Sequence, residues 1–408
     1  MPRLEFYFDV VCPYAMLAST RVEALAKRTG HELELRPVLL GGIYRLVNNP
    51  DHPSAAWAQN KQLMTYRDLH RQAELHDVPL RFPEQHPRRT VEAMRLLTLL
   101  DQPTMAALMH ALYRAYWIDN RDISEREVLA EIAREHDVDP ALMDDSRASE
   151  KLRENTAEAV EHGAFGVPTF TLGELLWWGV DRMHFLEADL GGQPQAYRPQ
   201  PSTPARLEVF HDFSSPFSYL GSTQIQAIAR EHGAELHWRP MLLGALFRSI
   251  GTPMLPMLEM NEHRRNWGAA DLERWAREWG VPFRFTSHFP INTVLALRCA
   301  NIDSRLTPAF YQAVWADNRN LSDEAVLREV ISEQGLDADE IIEQALAQSN
   351  KDTIRANTER AEALGACGAP TFVVNGRYVF WGQDRLEMVR RALDGWEPAI
   401  DRELAAAK

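Results

Sequence analysis

Cysteine is scarce in this chain of 408 residues: only Cys12, Cys299 and Cys367 occur, with no Cys-x-x-Cys pair among them. That rules out a disulfide framework and a protein-borne dithiol. No run of about 18 apolar residues is present, so no membrane span is expected. His-Glu-x-x-His spacing and glycine-rich phosphate loops are missing too, and no metal is expected. Positive charge is short: 44 Lys and Arg face 58 Asp and Glu, a formal net charge of −14. Nucleic acid and anionic membrane surfaces need a basic face, so neither is an expected partner. A basic pocket for a small anion stays open, because net charge says nothing about single clefts. With no secretion-type segment ahead of the first strand pattern, a reducing, cytoplasmic setting is expected.

What the chain does contain is one pattern twice. "FDVVCPYAMLAS" (8–19) returns 203 positions later as "HDFSSPFSYLGS" (211–222). Arg36-Pro37 with Leu39-Leu40-Gly41 returns as Arg239-Pro240 with Leu242-Leu243-Gly244. Trp117-x-Asp119-Asn120-Arg121 returns as Trp315-x-Asp317-Asn318-Arg319, the offset having slipped to 198. "NTAEAVEHGAFGVPTF" (155–170) matches "NTERAEALGACGAPTF" (357–372) at nine of sixteen positions. Trp178-Gly179-Val180-Asp181-Arg182 matches Trp381-Gly382-Gln383-Asp384-Arg385. Collinear matches over this length indicate a tandem duplication. A Gly-, Pro- and Gln-rich stretch, 191–205, reads as a linker between domains at 1–190 and 206–395, and 396–408 as a C-terminal tail.

Each half shows the same plan. A short strand (4–9; 207–212) meets a helix that opens at a proline, and a second strand follows (32–38; 235–241). A long stretch of helical spacing comes next, about 54–162 and 257–364. Two strands around the Gly-x-Pro turn and a final helix close each half. The class is α/β, with two similar domains that each carry a helical insertion.

Cys12 and Ser215 occupy the same place, just ahead of the first helical residue. Unpaired backbone N–H groups and the helix dipole favour an anion there, so Cys12 is a candidate thiolate. Ser215 would not ionise, but its hydroxyl can donate to a thiolate brought by another molecule. The plainer readings are a helix cap for Ser215 and a structural thiol for Cys12. Val167-Pro168 and Ala369-Pro370 each enter a strand after a glycine, where a cis bond would leave the preceding residue's N–H and C=O for an extended peptide ligand. Trp117 with Asp119, and Trp315 with Asp317, read as core packing plus helix-end hydrogen bonding, with facing the ligand cleft as the alternative. Cys299 reads as core, and Cys367 as a thiol near the presumed cleft.

These motifs, with "DLERWAREWGVPFRF" and "HFPINTVLALR" in 271–298, resemble the DsbA-like thioredoxin family. Within it they are most similar to the branch of 2-hydroxychromene-2-carboxylate isomerases and kappa-class glutathione transferases. The resemblance covers nearly all of each half and implies two tandem thioredoxin-like (DsbA-like) domains, each with an inserted helical subdomain. It implies glutathione as cofactor, with Ser215, and Cys12 in its place in the first half, beside the glutathione sulfur. By the same resemblance Ala369 with Pro370, and Val167 with Pro168, meet the tripeptide backbone. Gln383 and Asp384, and Asp181 in the first half, receive its γ-glutamyl end. Lys61 in the first half and Arg264 in the second bind its anionic part. Relatives commonly pair, so the duplication implies an intramolecular pseudo-dimer.

The function these residues point to is a glutathione-dependent isomerase or transferase for an electron-poor, unsaturated and aromatic small-molecule acid, as in aromatic catabolism. The alternatives are a monothiol thiol–disulfide oxidoreductase using Cys12, and a non-catalytic peptide- or thiol-binding module. The first half departs from the pattern: it lacks the serine, and Val180 stands where Gln383 does. It reads as a second site, a monothiol site or a retired copy.

Overall fold

The computed structural model describes residues 3–50, 53–193, 197–200 and 204–406. Parts of the expected linker (194–196 and 201–203) and the end of the expected tail (407–408) lie outside the described residues.

The first repeat runs β1 (Leu4–Phe8), α1 (Pro13–Thr29), β2 (Leu33–Pro37) and α2 (Leu40–Leu46). The helical insertion follows as α3 (Gln59–Leu75), α4 (Val91–Thr98), α5 (Gln102–Trp117), α6 (Arg126–Glu135) and α7 (Ser146–Glu161). It closes with β3 (Thr169–Leu172), β4 (Leu175–Trp178) and α8 (Met183–Asp189). The second repeat opens likewise with β5 (Arg206–His211), α9 (Pro216–Glu231), β6 (Glu235–Pro240) and α10 (Leu243–Ile250). Its insertion is α11 (Glu262–Glu278), α12 (Val294–Ile302), α13 (Leu306–Trp315), α14 (Glu324–Glu333), α15 (Ala338–Leu346) and α16 (Gln348–Ala363). Then come β7 (Thr371–Val374), β8 (Tyr378–Trp381), α17 (Leu386–Leu393) and α18 (Ala399–Ala406).

Each repeat forms one four-stranded sheet, ordered β2-β1-β3-β4 and β6-β5-β7-β8. The first two strands are parallel because a helix crosses between them; the last two pair antiparallel. Several repeated residues are there to hold this frame. Glu208, fully buried, receives Arg239 at 3.0 Å and Arg360 at 2.7 Å, and Glu5 receives Arg36 at 2.7 Å. Paired this way, a carboxylate can sit inside the sheet layer. The Asn-Thr pair explains itself as well. Asn155 donates to Pro37 O and Asn357 to Pro240 O, both at 3.1 Å, while Thr156 and Thr358 accept from Leu39 N–H and Leu242 N–H. They tie α7 and α16 to the chain leaving β2 and β6.

The chain folds into two compact units whose borders differ from the repeats. Ser54–Asp68 of the first repeat belong to the second unit, and Asn261–Arg264 of the second repeat belong to the first unit.

Candidate active site

In the second unit Ser215 is the N-cap of α9. Its Oγ accepts the Ser218 N–H at 3.1 Å and donates to the Ala369 carbonyl at 2.9 Å. The capping atom and the hydroxyl expected to meet a thiolate are therefore one atom. In the first unit Cys12 makes no capping hydrogen bond, and its Sγ donates to the Val167 carbonyl at 3.2 Å. Both carbonyls are thus taken by the turn residue, a correction to the expectation that they stand free for a ligand.

The expected Cys12 thiolate meets a stronger opposing effect. Burial pushes the thiol up to about 12; the N–H groups of Ala15 and Tyr14 pull it down by less, and Asp9 adds to the rise. Desolvation outweighs the helix N-terminus here. Burial also lifts Cys299 and Cys367 to about 12. All three cysteines are buried. A disulfide reagent at pH 7.5 is accordingly expected to titrate almost no thiol in the native protein and three after denaturation. Rapid native labelling of one thiol would contradict this.

The bonds Val167-Pro168 and Ala369-Pro370 are both cis. The threonine after each proline donates to the glycine ahead of it, Thr169 to Gly166 O at 2.7 Å and Thr371 to Gly368 O at 2.8 Å. Helix α9 comes close to this turn because Gly221 has no side chain: a Cβ there would lie 3.4 Å from Pro370 Cγ and 3.2 Å from Phe372 Cζ. On the far side Gly382 donates its N–H to Pro370 O at 3.0 Å. Its φ of +101° suits glycine, and a Cβ would strike Asp384 Oδ1 at 2.5 Å. Gln383 is buried, and Asp384 lies 3.1 Å from Arg385. The matching Val180 is buried, and Asp181 pairs with Arg182 at 2.9 Å.

The two expected cations trade places. Lys61 belongs to the second unit, where its charge acts on Cys367, three residues before Pro370, and its Nζ sits 4.2 Å from the Trp57 ring centroid. The neighbouring Asn60 donates to Ala366 O at 3.1 Å, and Met64 packs with Met241, Cys367 and Ala369. Arg264 belongs to the first unit, with its guanidinium 5.9 Å from the Trp178 ring and its charge acting on Tyr44. Burial holds the Arg264 pKa below its usual value. Lys61, expected with the first half, and Arg264, expected with the second, each therefore lie in the unit built mainly from the other repeat, because the helical segment that carries each packs there.

Sequence reasoning missed two supports of the site, the Asp212 and Asp9 carboxylates and Asp68. Asp212 caps the chain before Ser215, accepting Ser214 N–H and Leu243 N–H at 2.9 Å and the Thr293 hydroxyl at 2.6 Å. Asp9 does the same for Val11 and Leu40, and burial raises its pKa to about 6. Trp117 and Trp315, read as core packing with helix-end hydrogen bonding, are buried and donate their indole N–H at 2.8 Å to Val10 O and Phe213 O in the same turns. Asp68 joins Arg385 in a two-point ion pair at 2.6 and 3.0 Å, next to Asp384. Its recurrence as Asp271 in the other repeat was the signal available for it. Among the described residues there is no cluster of three metal-ligating side chains, and no helix long and apolar enough to cross a membrane.

A duplicated sheet with a cis-proline facing a capped helix defines the class, and comparison with known proteins agrees. The chain belongs to the DSBA-like thioredoxin domain family, which matches it twice, at residues 3–191 and 206–394. Among curated relatives it is similar to a 2-hydroxychromene-2-carboxylate isomerase of Pseudomonas sp. (strain C18), 30% identical over 47% of this chain and 91% of the relative. It is also similar to glutathione S-transferase kappa 1 of Caenorhabditis elegans, 29% identical over 48% of this chain and 93% of the relative. A solved 2-hydroxychromene-2-carboxylate isomerase matches at 26% identity and a TM-score of 0.41, covering 46% of this chain and 94% of that one. Each such relative corresponds to about half of this chain. Those relatives are enzymes.

Proposed function

We infer that the protein is a glutathione-dependent isomerase or transferase acting on an electron-poor unsaturated acid, with its working site in the second unit. The observation that carries this is the Ser215 hydroxyl, buried at the N-terminus of α9 and already donating to the carbonyl of Ala369, the residue before the cis-proline. The residues present fit the tripeptide. Asp384 offers a carboxylate to an ammonium, Gln383 an amide, Lys61 a cation to a carboxylate, and Ala369 with Pro370 a strand edge. When bound, glutathione supplies a sulfur nucleophile for addition to an activated double bond. The chain's part is to keep that sulfur ionised: Ser215 turns its proton from Ala369 O to the sulfur, and the helix N-terminus adds to the field. Cys12, buried and held as a thiol in the first unit, gives the monothiol reading no support.

Calorimetric titration of glutathione into the wild-type, Ser215→Ala and Cys12→Ser proteins tests the assignment. Saturable binding weakened by Ser215→Ala but kept in Cys12→Ser is expected; no binding to wild type sinks it. The exchanged cations give a sharper check. Lys61→Ala, although in the first repeat, is expected to weaken binding at the Ser215 site about 10-fold, in line with a charge-assisted hydrogen bond of about 1.5 kcal/mol. Arg264→Ala is expected to leave that site within 2-fold. The opposite ranking would return each cation to its own repeat.

A further inference from the structure

Helix α18, in the stretch expected as a tail, is built into the second unit. Ile400 and Asp401 are buried and Leu404 is half-buried, while Arg402 and Glu403 are exposed, so the helix turns one face inward. An acid in the first turn suits the helix dipole, but that role needs no burial. A buried aspartate needs an opposite charge. Asp401 has it in Arg67 of α3: its Oδ1 lies 3.7 Å from Arg67 Nε, with 6% and 12% of the two side chains exposed. Just ahead of α18, Glu397 faces Tyr378 at the start of β8. Burial first, and then the Glu397 carboxylate, hold that phenol above its ordinary value.

Arg67 stands at the end of the segment, Ser54–Asp68, that the first repeat lends to the second unit. The early turns of α3 are fixed by Asn60 on Ala366 O and by Met64, which packs with Ala369. The last two lent residues are both ionic anchors, Asp68 on Arg385 and Arg67 on Asp401. Lys61 lies between these fastenings. The other repeat serves as an internal control. Asp68 returns there as Asp271, but Arg67 aligns with Ala270, which is exposed. Among the described residues no helix follows α8 as α18 follows α17. The cation and the acid that meets it thus occur together, for one unit alone.

We propose that α18 braces the Ser215 site: Asp401 is a positioning residue that, through Arg67, holds the end of the lent segment and with it the place of Lys61. The consequence for glutathione rests on the reading above; the brace itself does not. A helix fastened only at its first turns swings about them, whereas one fastened at its last lent residues as well has a fixed axis. The lysine it carries is then in place before a ligand arrives, and binding is spared the cost of ordering it. Without Asp401 the Arg67 guanidinium would be buried with less opposite charge around it. Turning that group toward water moves the helix end that also carries Asp68.

Hydrogen–deuterium exchange on the ligand-free protein reads the brace, and calorimetry with glutathione reads its consequence. In Asp401→Asn and in Ile400→Ala/Asp401→Ala, the amides of 59–68 are expected to exchange about 10-fold faster, with those of α9 at wild-type rates. Glutathione affinity is expected to fall about 3-fold in the single variant and about 5-fold in the double one. Added to Lys61→Ala, either is expected to cost less than about 2-fold more, because the brace acts through that lysine. The ionisation of the bound thiol, followed by ultraviolet absorbance against pH, is expected to stay as in wild type, which separates a misplaced Lys61 from a damaged Ser215 turn. Glu403→Ala, on the exposed face of α18, is expected to match wild type throughout. Wild-type exchange of 59–68 in the folded variants overturns the brace and leaves the glutathione reading intact. Faster exchange in a protein whose wild type binds no glutathione keeps the brace and removes that reading. An equal loss of affinity with and without Lys61 overturns the route through the lysine. If the double variant fails to fold, Asp401→Asn decides.

Discussion

Ser215→Ala is expected to lower glutathione-dependent turnover by about 100-fold, the scale of losing one preorganised donor to a developing or resident anion. The substitution removes two bonds at once, the cap to Ser218 N–H and the link to Ala369 O. The cap alone would cost about 1 kcal/mol of stability, shared with any helix N-terminus. The catalytic loss is distinct in being pH-dependent, because alanine removes a group that favours the ionised sulfur. Rates measured from pH 6 to 10 separate the two: recovery toward wild type at high pH marks lost thiolate stabilisation. A uniform deficit at every pH would leave only the cap. Cys12→Ser is the companion, expected to alter turnover less than 2-fold, since that thiol is buried in the other unit.

Asp212→Ala carries the largest expected effect on stability. The carboxylate is the shared acceptor for two backbone N–H groups and the buried Thr293 hydroxyl, and alanine offers none of them a partner. Losing bonds to a charged acceptor while stranding its donors costs about 3 kcal/mol or more. Urea unfolding followed by tryptophan fluorescence is expected to show the second unit melting earlier, with glutathione binding lost alongside it. Thr293→Val, which removes one donor and leaves the backbone bonds, is expected to cost about 1 kcal/mol. Equal effects from the two substitutions would mean the backbone bonds contribute little.

The repeat made much of this legible in advance. The strands, the helical insertion and the cis prolines follow from local signals: periodicity, a proline at a helix start, a glycine before a proline. The strand order and the bond from Ser215 to Ala369 O needed coordinates. Comparing the halves also pointed to Trp117 and Trp315, although their bonds to Val10 and Phe213 needed coordinates. Two things could not be read. Cys12 sits where a helix N-terminus favours a thiolate, but the opposing desolvation comes from side chains distant in sequence. Lys61 and Arg264 align by position, yet alignment says nothing about which unit a helix packs into. Spatial exchange leaves no mark in a pairwise match. Asp401 was invisible for a related reason. It reads as one more residue of a tail until Arg67, from the other repeat, is seen against it.

The exchanged segments have a consequence for inheritance. After most gene duplications one copy is free to decay, since the other still does the work. Here the second unit is completed by Ser54–Asp68, encoded in the first repeat, and the first unit by Asn261–Arg264, encoded in the second. A deletion of the first copy would take Lys61 and Asp68, and with them the Asp68–Arg385 ion pair, out of the second unit. Neither repeat can therefore be removed without leaving the other's unit incomplete, whatever the residue at its own turn.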